Sequence, residues 1–359
     1  MSKELNIKYH STGQFRNVVK HITNMFQYKG VDEDGNAVYD KLSPLPTLEF
    51  IGTVKLHGTN ASIVAHEDGT ITFHSKSRTL GYLQPDNTFE LLSDNSEFAQ
   101  SMQRKTTGVR AVVSKALSAA KEMYGEVRYP VKISGEWVGQ GVQKGVGISM
   151  LNTKSLFIFG VKCGNTDQVG KRGWLPLDMI NDVKCPSVGI FNVMDYQVER
   201  LAIDFNNPAY AQNILVEATN NVEAMCPVAK EFGHEGIGEG LVWQPVDNQY
   251  SYDSGTWFKT KGKKHSVSKV KSVAAICPEK LDSIKAFVEY AVTDNRLDQG
   301  LQEVGLDDKL VGAFIGWVNK DINKEEGDTL EASNLSMKDV GKYLANVSRA
   351  YYIGKLNSQ

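Results

Sequence analysis

The sequence predicts an α+β protein in two parts, with antiparallel β-sheets and flanking helices over residues 1–265 and a small all-helical domain over residues 266–359. Alternating polar and apolar residues, separated by turn residues, dominate the first part and are typical of half-buried strands. Apolar residues at helical spacing, such as Leu310, Phe314 and Trp317, dominate the second part. A chain of 359 residues is also long enough for two domains.

Composition limits the classes of function. Hydrophobic residues make up 41% and charged residues 23% of the chain, as in ordinary globular proteins. The net charge of −2 means that nucleic-acid binding would need a local basic groove. The chain has no long apolar run and its N-terminus lacks a secretion signal, so we expect no membrane partner. The four cysteines show no CxxC spacing, which argues against structural zinc and favours reduced thiols in a cytoplasm.

The predicted strand over residues 47–56 carries the first candidate functional residue. Leu48, Phe50 and Val54 alternate with polar residues, so Lys55 points away from the packed face. A lysine amine that has lost its proton can attack carbon or phosphorus. The simplest interpretation of an isolated lysine on a strand is a solvated side chain without a catalytic role. The neighbouring motifs decide whether Lys55 is such a residue or a nucleophile.

A tight turn and a hairpin follow this lysine. Gly58 permits a tight backbone turn, and the Asp68-Gly69 pair between two alternating runs predicts a β-hairpin. His57 and Asn60 flank the turn. Arg78 comes one strand later and could reach the same rim, where its planar guanidinium suits a phosphate, although a surface arginine is the simpler reading if it stands alone.

The next candidates lie on the strands predicted near residues 131–138 and 156–161. The first strand carries Glu136 and runs into a glycine cluster that has the wrong spacing for a dinucleotide loop, with no helix pattern after it, so we reject a Rossmann fold. On the second strand, Phe157 and Phe159 share one side. Each is most simply a core residue, but one could present its ring to a purine.

Charged residues cluster towards the end of the first part. Glu239 stands at the mouth of a short apolar strand, and Lys259 and Lys261 share one face of another strand. The densest positive patch of the chain follows, with Lys263 and Lys264 at its start. A solvated linker explains this patch equally well.

These motifs follow one order between residues 47 and 262: Lys55-x-His57-Gly58-x-Asn60, Arg78, Gly135-Glu136, Phe159, Glu239-Gly240-x-Val242 and Lys259-x-Lys261. The series resembles that of the covalent nucleotidyltransferases, which are the ATP-dependent ligases and mRNA capping enzymes. DNA ligases and capping enzymes usually carry Lys-x-Asp-Gly. The histidine and asparagine here, with the segment from Gly135 to Lys144, are similar to the RNA ligase 2 family of phage nick-sealing and RNA-editing ligases.

The chain departs from that family at two positions. Gly160 follows Phe159 where the family commonly has aspartate, and Val54 precedes the lysine where an acidic residue is common. The second departure means that main-chain groups would have to read adenine at this point. The helical tail is similar in kind to the C-terminal domain of the phage members.

The resemblance implies a nucleotidyltransferase fold and an ATP-dependent RNA ligase that forms a lysyl-AMP intermediate and then an adenylated RNA 5′ end. Its catalytic residues would be Lys55, Glu239, Lys259 and Lys261. Glu239 would hold Mg²⁺ or Mn²⁺ largely through water. We expect RNA as partner, in a nicked duplex or as paired ends, a monomeric enzyme, a viral source and a cytoplasmic location.

The resemblance also assigns binding roles. Phe159 would stack on adenine, with Phe157 as the fallback, and Glu136 would accept a hydrogen bond from a ribose hydroxyl. The phosphate and ribose contacts would come from Lys55, His57, Asn60, Arg78, Glu239, Lys259 and Lys261. Gln143 and Lys144 belong to the family-like segment and are expected to contact the RNA. The basic patch itself motivates a further expectation, that Lys263 and Lys264 contact the phosphate backbone while the helical domain clamps the duplex.

Physical chemistry adds one requirement. A lysine amine titrates near 10.4, so it must lose its proton before it can attack. We expect positive groups distant in sequence, Lys259, Lys261 and a metal ion, to converge on Lys55 and lower its pKa.

Two alternatives stay open. A DNA ligase or capping guanylyltransferase shares the chemistry, but an OB-fold normally follows the last lysine motif in those enzymes. A nucleic-acid-binding relative without catalysis would keep the scaffold, yet every charged position that the chemistry needs is present.

Overall fold

The structure is a computed structural model that describes residues 11–32, 37–164, 172–247, 249–265, 284–333 and 335–358. It divides into two compact units, Met1–Thr260 and Lys261–Gln359. None of the helices in these described ranges is long and apolar enough to cross a membrane. The far end of the basic patch, at Lys269 and Lys271, lies outside the described residues.

Two larger sheets and one two-stranded sheet make up the β-structure in the described residues of the first unit. The larger sheets have the strand orders β10-β9-β8-β4-β5-β6-β7 and β11-β3-β12-β13, and β1 pairs with β2. The strands are β1 (Tyr28–Val31), β2 (Ala37–Tyr39), β3 (Thr47–Lys55), β4 (Thr59–Ala65), β5 (Ile71–Ser75), β6 (Thr79–Leu83), β7 (Phe89–Leu91), β8 (Val131–Val138), β9 (Ser155–Cys163), β10 (Ile190–Asn192), β11 (Val198–Asp204), β12 (Gly240–Pro245) and β13 (Phe258–Lys261).

Helices flank the sheets in the first unit and form the described part of the second. They are α1 (Phe15–Gln27), α2 (Phe98–Gln103), α3 (Thr106–Tyr124), α4 (Gln212–Ala224), α5 (Pro227–Glu231), α6 (Ile284–Ala291), α7 (Asp294–Val304), α8 (Val311–Ala332) and α9 (Met337–Leu356). The predicted α+β class, with antiparallel sheets and a helical C-terminal part, is confirmed. One pair departs from it, because β10 runs parallel to β9.

One face of the seven-stranded sheet packs against α3. Ile63, Phe73 and Ile133 are fully buried there together with Val112 and Ala116 of the helix. Side chains alternate along a strand, so the residues between these point to the opposite face. That opposite face carries the polar residues of β4 and β8 that form the candidate site.

The four-stranded sheet positions Lys55. Strand β3 lies between β11 and β12, and one face of this sheet carries an aromatic cluster in which Phe258 contacts Phe15, Phe50 and Trp243. Alternation from Phe50 along β3 places Lys55 on the other face. Lys55 therefore lies on the face opposite Phe50 and Val54, as predicted. That face is packed as well, because Ile51 and Thr53 are only 3% and 2% exposed, so the prediction of a strand buried on one face is wrong.

The second unit packs its helices around an apolar core that includes Phe314, Val318 and Leu344. Arg296 is fully buried inside this unit, where its Nε donates to Asp321 Oδ2 (2.9 Å) and its Nη2 lies 3.3 Å from Glu326 Oε1. Pairing with two carboxylates offsets the cost of burying the guanidinium.

Candidate active site

A buried ion pair joins Lys55 to Glu239, which is 184 residues away in the chain. Lys55 is the last residue of β3 and pairs in register with Gly240, the first residue of β12, so Glu239 lies directly beside it. Lys55 Nζ donates to Glu239 Oε2 at 2.7 Å, and the two side chains are 24% and 4% exposed. His57 Nδ1 lies 3.5 Å from the same oxygen, so one carboxylate oxygen serves two nitrogen groups.

A second carboxylate reaches the site from β8. Glu136 pairs in register with Asn60 of β4, and Glu136 Oε1 accepts a hydrogen bond from the Gly58 N–H at 3.0 Å. The backbone at Gly58 passes so close to β8 that a Cβ there would lie 2.3 Å from the Trp137 carbonyl oxygen. Close approach, rather than an unusual turn conformation, is therefore the reason for glycine at position 58.

Buried polar atoms without partners continue this face of the sheet. Asn60 Oδ1, Ser62 Oγ and Ser134 Oγ are each buried and have no hydrogen-bond partner among the residues that the structure describes. Ser62 pairs in register with Ser134, next to the pair of Asn60 and Glu136. The two serines were not among the predicted site residues. They could have been found from the alternation of side chains, because Ser62 is two residues from Asn60 and Ser134 is two residues from Glu136, which puts each serine on the same face as the predicted residue. Asn60 is partly exposed, and its unpaired oxygen is an acceptor that a ligand could satisfy.

The charges of the site shift two pKa values. Burial raises the pKa of Glu136 to about 7, Glu239 adds to the rise, and Lys55 opposes it. Burial lowers the pKa of Lys55, but the negative charges of Glu239 and Glu136 outweigh it, and the net pKa is raised. The expectation of a lowered Lys55 pKa is therefore wrong for the protein without ligands, because the group closest to the amine is an anion.

Glu136→Gln tests this electrostatic environment. The pKa of the Glu136 carboxyl is about 7 in the folded protein and 4.5 in the unfolded chain, so the folded state holds this proton more tightly. The resulting contribution to stability is complete below pH 4.5 and is lost as the pH rises through 7. Between pH 5 and 8, the variant should gain up to about 3 kcal/mol in free energy of unfolding relative to wild type. Urea denaturation of both proteins at the two pH values measures this change. The exposed Glu49→Gln is the control, and an equal difference at both pH values would contradict the shift.

The predicted stacking residue lies at an irregularity of β9. Ser134 pairs with Gly160 and Gly135 with Ile158, so Phe159 is the extra residue of a β-bulge, and it is half-buried. Phe157 is fully buried in an aromatic cluster and has no free ring face to offer a base. Phe159 therefore remains the candidate for stacking on adenine, and Phe157 is no longer considered for this role.

The two motif lysines of β13 share a face with Lys55. Thr260 Oγ1 accepts a hydrogen bond from Trp243 Nε1 at 3.1 Å, so Thr260 faces the aromatic side of the four-stranded sheet. Lys259 and Lys261 alternate with Thr260 and therefore occupy the opposite face, and both are half-buried.

The remaining predicted residues differ in their positions. Gln143 lies beside the site, because its Nε2 is 3.5 Å from the Gly58 carbonyl oxygen. Lys144, Lys263 and Lys264 are exposed. Arg78 is exposed in the turn between β5 and β6, and its guanidinium makes no hydrogen bond or ion pair within the described part of the chain. The structure thus brings together Lys55, His57, Glu136, Glu239 and Gln143.

No group of three or more histidine, cysteine or acidic residues that could enclose a metal ion occurs among the described residues. This donor set still fits Mg²⁺ or Mn²⁺, since Mg²⁺ is usually held by one or two carboxylates together with water and substrate phosphates. Glu239 supplies such a carboxylate beside Lys55.

A strand-end lysine that meets two glutamates from distant strands is the arrangement that the motif series implies for a covalent nucleotidyltransferase. Comparison with protein families gives the narrower identity, since the RNA ligase family matches residues 48–261. This chain belongs to the RNA ligase family, as the motifs indicated. No curated protein matches it.

Solved structures similar to the chain include RNA ligases of Naegleria gruberi. A lysine-to-methionine variant with AMP and Mn is 14% identical, covers 72% of this chain and has a TM-score of 0.40. A lysine-to-alanine variant with ATP and Mn is also 14% identical over 72% of this chain, with a TM-score of 0.41. This chain spans 57% of the length of each of these ligases.

Proposed function

We propose that this protein is an ATP-dependent RNA ligase that joins a 3′-hydroxyl RNA end to a 5′-phosphate RNA end through a lysyl-AMP intermediate on Lys55. The observation that carries the proposal is the convergence of Lys55, Glu239 and Glu136 at one rim. The helices in the described part of the second unit also support an RNA ligase, because a DNA ligase or a capping enzyme would normally have an OB-fold in that place.

In the first step, Lys55 Nζ bonds to the α-phosphorus of ATP while the bond to pyrophosphate breaks. The amine must first be released from Glu239, which holds it protonated in the absence of ligands. A divalent cation held by Glu239 would supply the positive charge that neutralises this carboxylate and favours the free amine. Lys259 and Lys261 would stabilise the charge that grows on the α-phosphate.

The other residues around Lys55 would hold the nucleotide. Phe159 would stack on adenine, and Glu136 would accept a hydrogen bond from a ribose hydroxyl through the oxygen that does not bind Gly58. Asn60 and His57 would contact the phosphates and ribose. Arg78, which is exposed in the turn between β5 and β6, would join them.

In the second step, the 5′-phosphate of an RNA end attacks the lysyl-AMP phosphorus and takes the adenylyl group. In the third, the 3′-hydroxyl of the other end attacks the activated 5′-phosphate, and AMP leaves. Gln143 and Lys144, with Lys263 and Lys264, would contact the RNA backbone, and RNA helices are recognised mainly by shape, phosphates and 2′-hydroxyls.

A ligation panel tests the substrate class. Nicked RNA duplex, nicked DNA duplex, RNA–DNA hybrids and single strands are each incubated with enzyme, ATP and Mg²⁺, and sealing is measured. We expect the 3′-hydroxyl RNA nick to be sealed with little sequence preference and with a rate that falls steeply with salt. Sealing of the DNA nick with the RNA nick left open would overturn the proposal in favour of a DNA ligase.

A further inference from the structure

A cavity of about 460 Å³ lies at the end of the seven-stranded sheet where β9 and β10 begin, and we call it the β9–β10 cavity. Its walls include Lys105, Ser155, Val188, Phe191, Phe232 and His234. Binding sites for small organic ligands commonly have volumes of about 300–1,000 Å³. Neither of the glutamates of the candidate site nor Lys55 lines this cavity, so it is a separate feature of the first unit.

One lining residue of the β9–β10 cavity lies close to the candidate active site. Ser155 pairs in register with Val138, two residues beyond Glu136 on β8. Two residues along a strand and one strand across correspond to roughly 8 Å between the Cα atoms of Glu136 and Ser155. The segment from Phe232 to Glu239 also connects a cavity wall to the carboxylate that holds Lys55.

One wall of the β9–β10 cavity is aromatic. The rings of Phe191 and Phe232 lie 5.2 Å apart, nearly perpendicular to each other, and both residues are only partly buried. Beneath them the buried Phe157 stacks on Phe191 at 5.1 Å, which fixes the ring of Phe191. A rigid, partly exposed pair of rings is the kind of surface on which nucleobases stack regardless of their sequence.

The cavity wall beside Gly189 carries a positive charge and a hydroxyl group, that of Ser155, which donates to the Thr153 carbonyl oxygen at 3.2 Å. A Cβ at Gly189 would lie 3.2 Å from Ser155 Oγ and 3.4 Å from Lys105 Nζ, so both groups converge on this backbone. Within the described residues Lys105 forms no ion pair, and burial lowers its pKa. His234 adds an imidazole on the same cavity.

The start of α3 closes the β9–β10 cavity beside Lys105. Gly108 lies in the first turn of this helix, and a Cβ there would lie 2.5 Å from a methyl group of Val188. This contact holds the first turn of α3 against the wall formed by Val188. A helix N-terminus adds a favourable field for an anion to the charge of Lys105.

We propose that the β9–β10 cavity binds one unpaired nucleotide of the RNA substrate, with its base against Phe191 and Phe232 and its phosphate beside Lys105 and His234. The proposal rests on the proposed function and narrows the substrate to RNA ends that present an unstacked nucleotide near the joint. Stacking on these two rings does not depend on which base is present, and the positive charge of Lys105 contributes affinity through the phosphate of the nucleotide.

A position scan with a matched variant tests the proposal. The probes are nicked RNA duplexes in which one nucleotide at a time, on either side of the nick, is unpaired with its base present or absent. Affinity is measured without ATP, so that no ligation occurs. At one position, loss of the base should raise the wild-type Kd on the order of tenfold. Phe232→Leu should raise the Kd for the intact probe by a similar factor and should be insensitive to loss of that base.

Controls separate the cavity from general damage. Tyr196→Leu removes a ring that contacts Phe232 without lining the cavity, and it should keep the sensitivity to the missing base. Lys105→Gln should lower the salt dependence of binding by about one counterion, while Lys121→Gln on the same helix should not.

Self-adenylation with ATP is measured for every variant, because it reports the proposed function without RNA. If wild type forms the adduct but no position shows coupling between base loss and Phe232→Leu, the nucleotide cavity is overturned and the ligase proposal stands. If no protein forms the adduct, the ligase proposal itself fails. Thermal unfolding of Phe232→Leu near the wild-type midpoint excludes misfolding as the cause of weaker binding.

Discussion

Lys55→Ala is expected to stay at its unmodified mass after incubation with ATP and Mg²⁺, whereas wild type gains one adenylyl group. The reason is that the amine of Lys55 is the nucleophile in the proposed mechanism, which assigns the covalent intermediate to no other group. Loss of a nucleophile from a catalytic set lowers the rate by several orders of magnitude, so the adduct should fall at least about 10³-fold. Intact-protein mass spectrometry measures it directly.

Lys55→Arg is the matched variant for this experiment. Arginine keeps a positive charge beside Glu239 and so preserves the ion pair, but its guanidinium does not lose a proton in proteins. It should therefore fold like wild type and form no adduct. Lys76→Ala removes an exposed lysine near β5 and should leave the adduct unchanged.

Two buried lysines, Lys132 and Lys162, are the main alternative nucleophiles. Burial lowers the pKa of Lys132 to about 8, with a further contribution from Lys162, and burial also lowers the pKa of Lys162 to about 8. By pKa alone these amines are better nucleophiles than Lys55. Lys132 and Lys162 are only 2% and 1% exposed, however, so ATP cannot reach their amines. Lys55 is 24% exposed and is therefore the better candidate for the nucleophile. An adduct on Lys55→Ala, mapped by peptide sequencing to Lys132 or Lys162, would reverse this assignment.

The position of Lys55 could be predicted from the sequence because it depends on local alternation. The run around Phe50 and Val54 sets the packed face of β3, and the lysine follows by parity. The C-terminal end of α3 follows a similarly local rule, since Gly125 directly after it adopts a positive φ.

Contacts between distant strands could not be derived in this way. The pairing of Lys55 with Glu239 depends on the register of β3 against β12, which no local pattern specifies, and only the resemblance to a family suggested it. The bulge at Phe159 changes the simple alternation of β9, so the different burial of Phe157 and Phe159 was not predictable. The direction of the Lys55 pKa was missed for the same reason, since it depends on how close Glu239 lies.

Glu239→Gln is expected to slow adduct formation by about 10³-fold at saturating ATP. Glutamine keeps the size of the side chain but removes the charge that would hold the divalent cation, and such a cation contributes several kcal/mol to stabilising developing charge. Single-turnover rates with labelled ATP over a range of Mg²⁺ concentrations measure the effect. The rate of wild type should rise with Mg²⁺, and that of the variant should be nearly insensitive to it.

The sign of this effect separates two roles for Glu239. If the carboxylate only held Lys55 protonated, its removal would lower the pKa of the amine, because burial would then be opposed by the charge of Glu136 alone. Adduct formation would become faster at neutral pH. If the carboxylate also anchors the cation, adduct formation becomes slower although the amine is more easily deprotonated. The variant should therefore show both a lower rate and a pH profile displaced to lower pH, while the exposed Glu235→Gln on the same segment changes neither. A faster reaction in Glu239→Gln would show that the pairing with Lys55 only restrains the nucleophile, and the cation would then need another ligand.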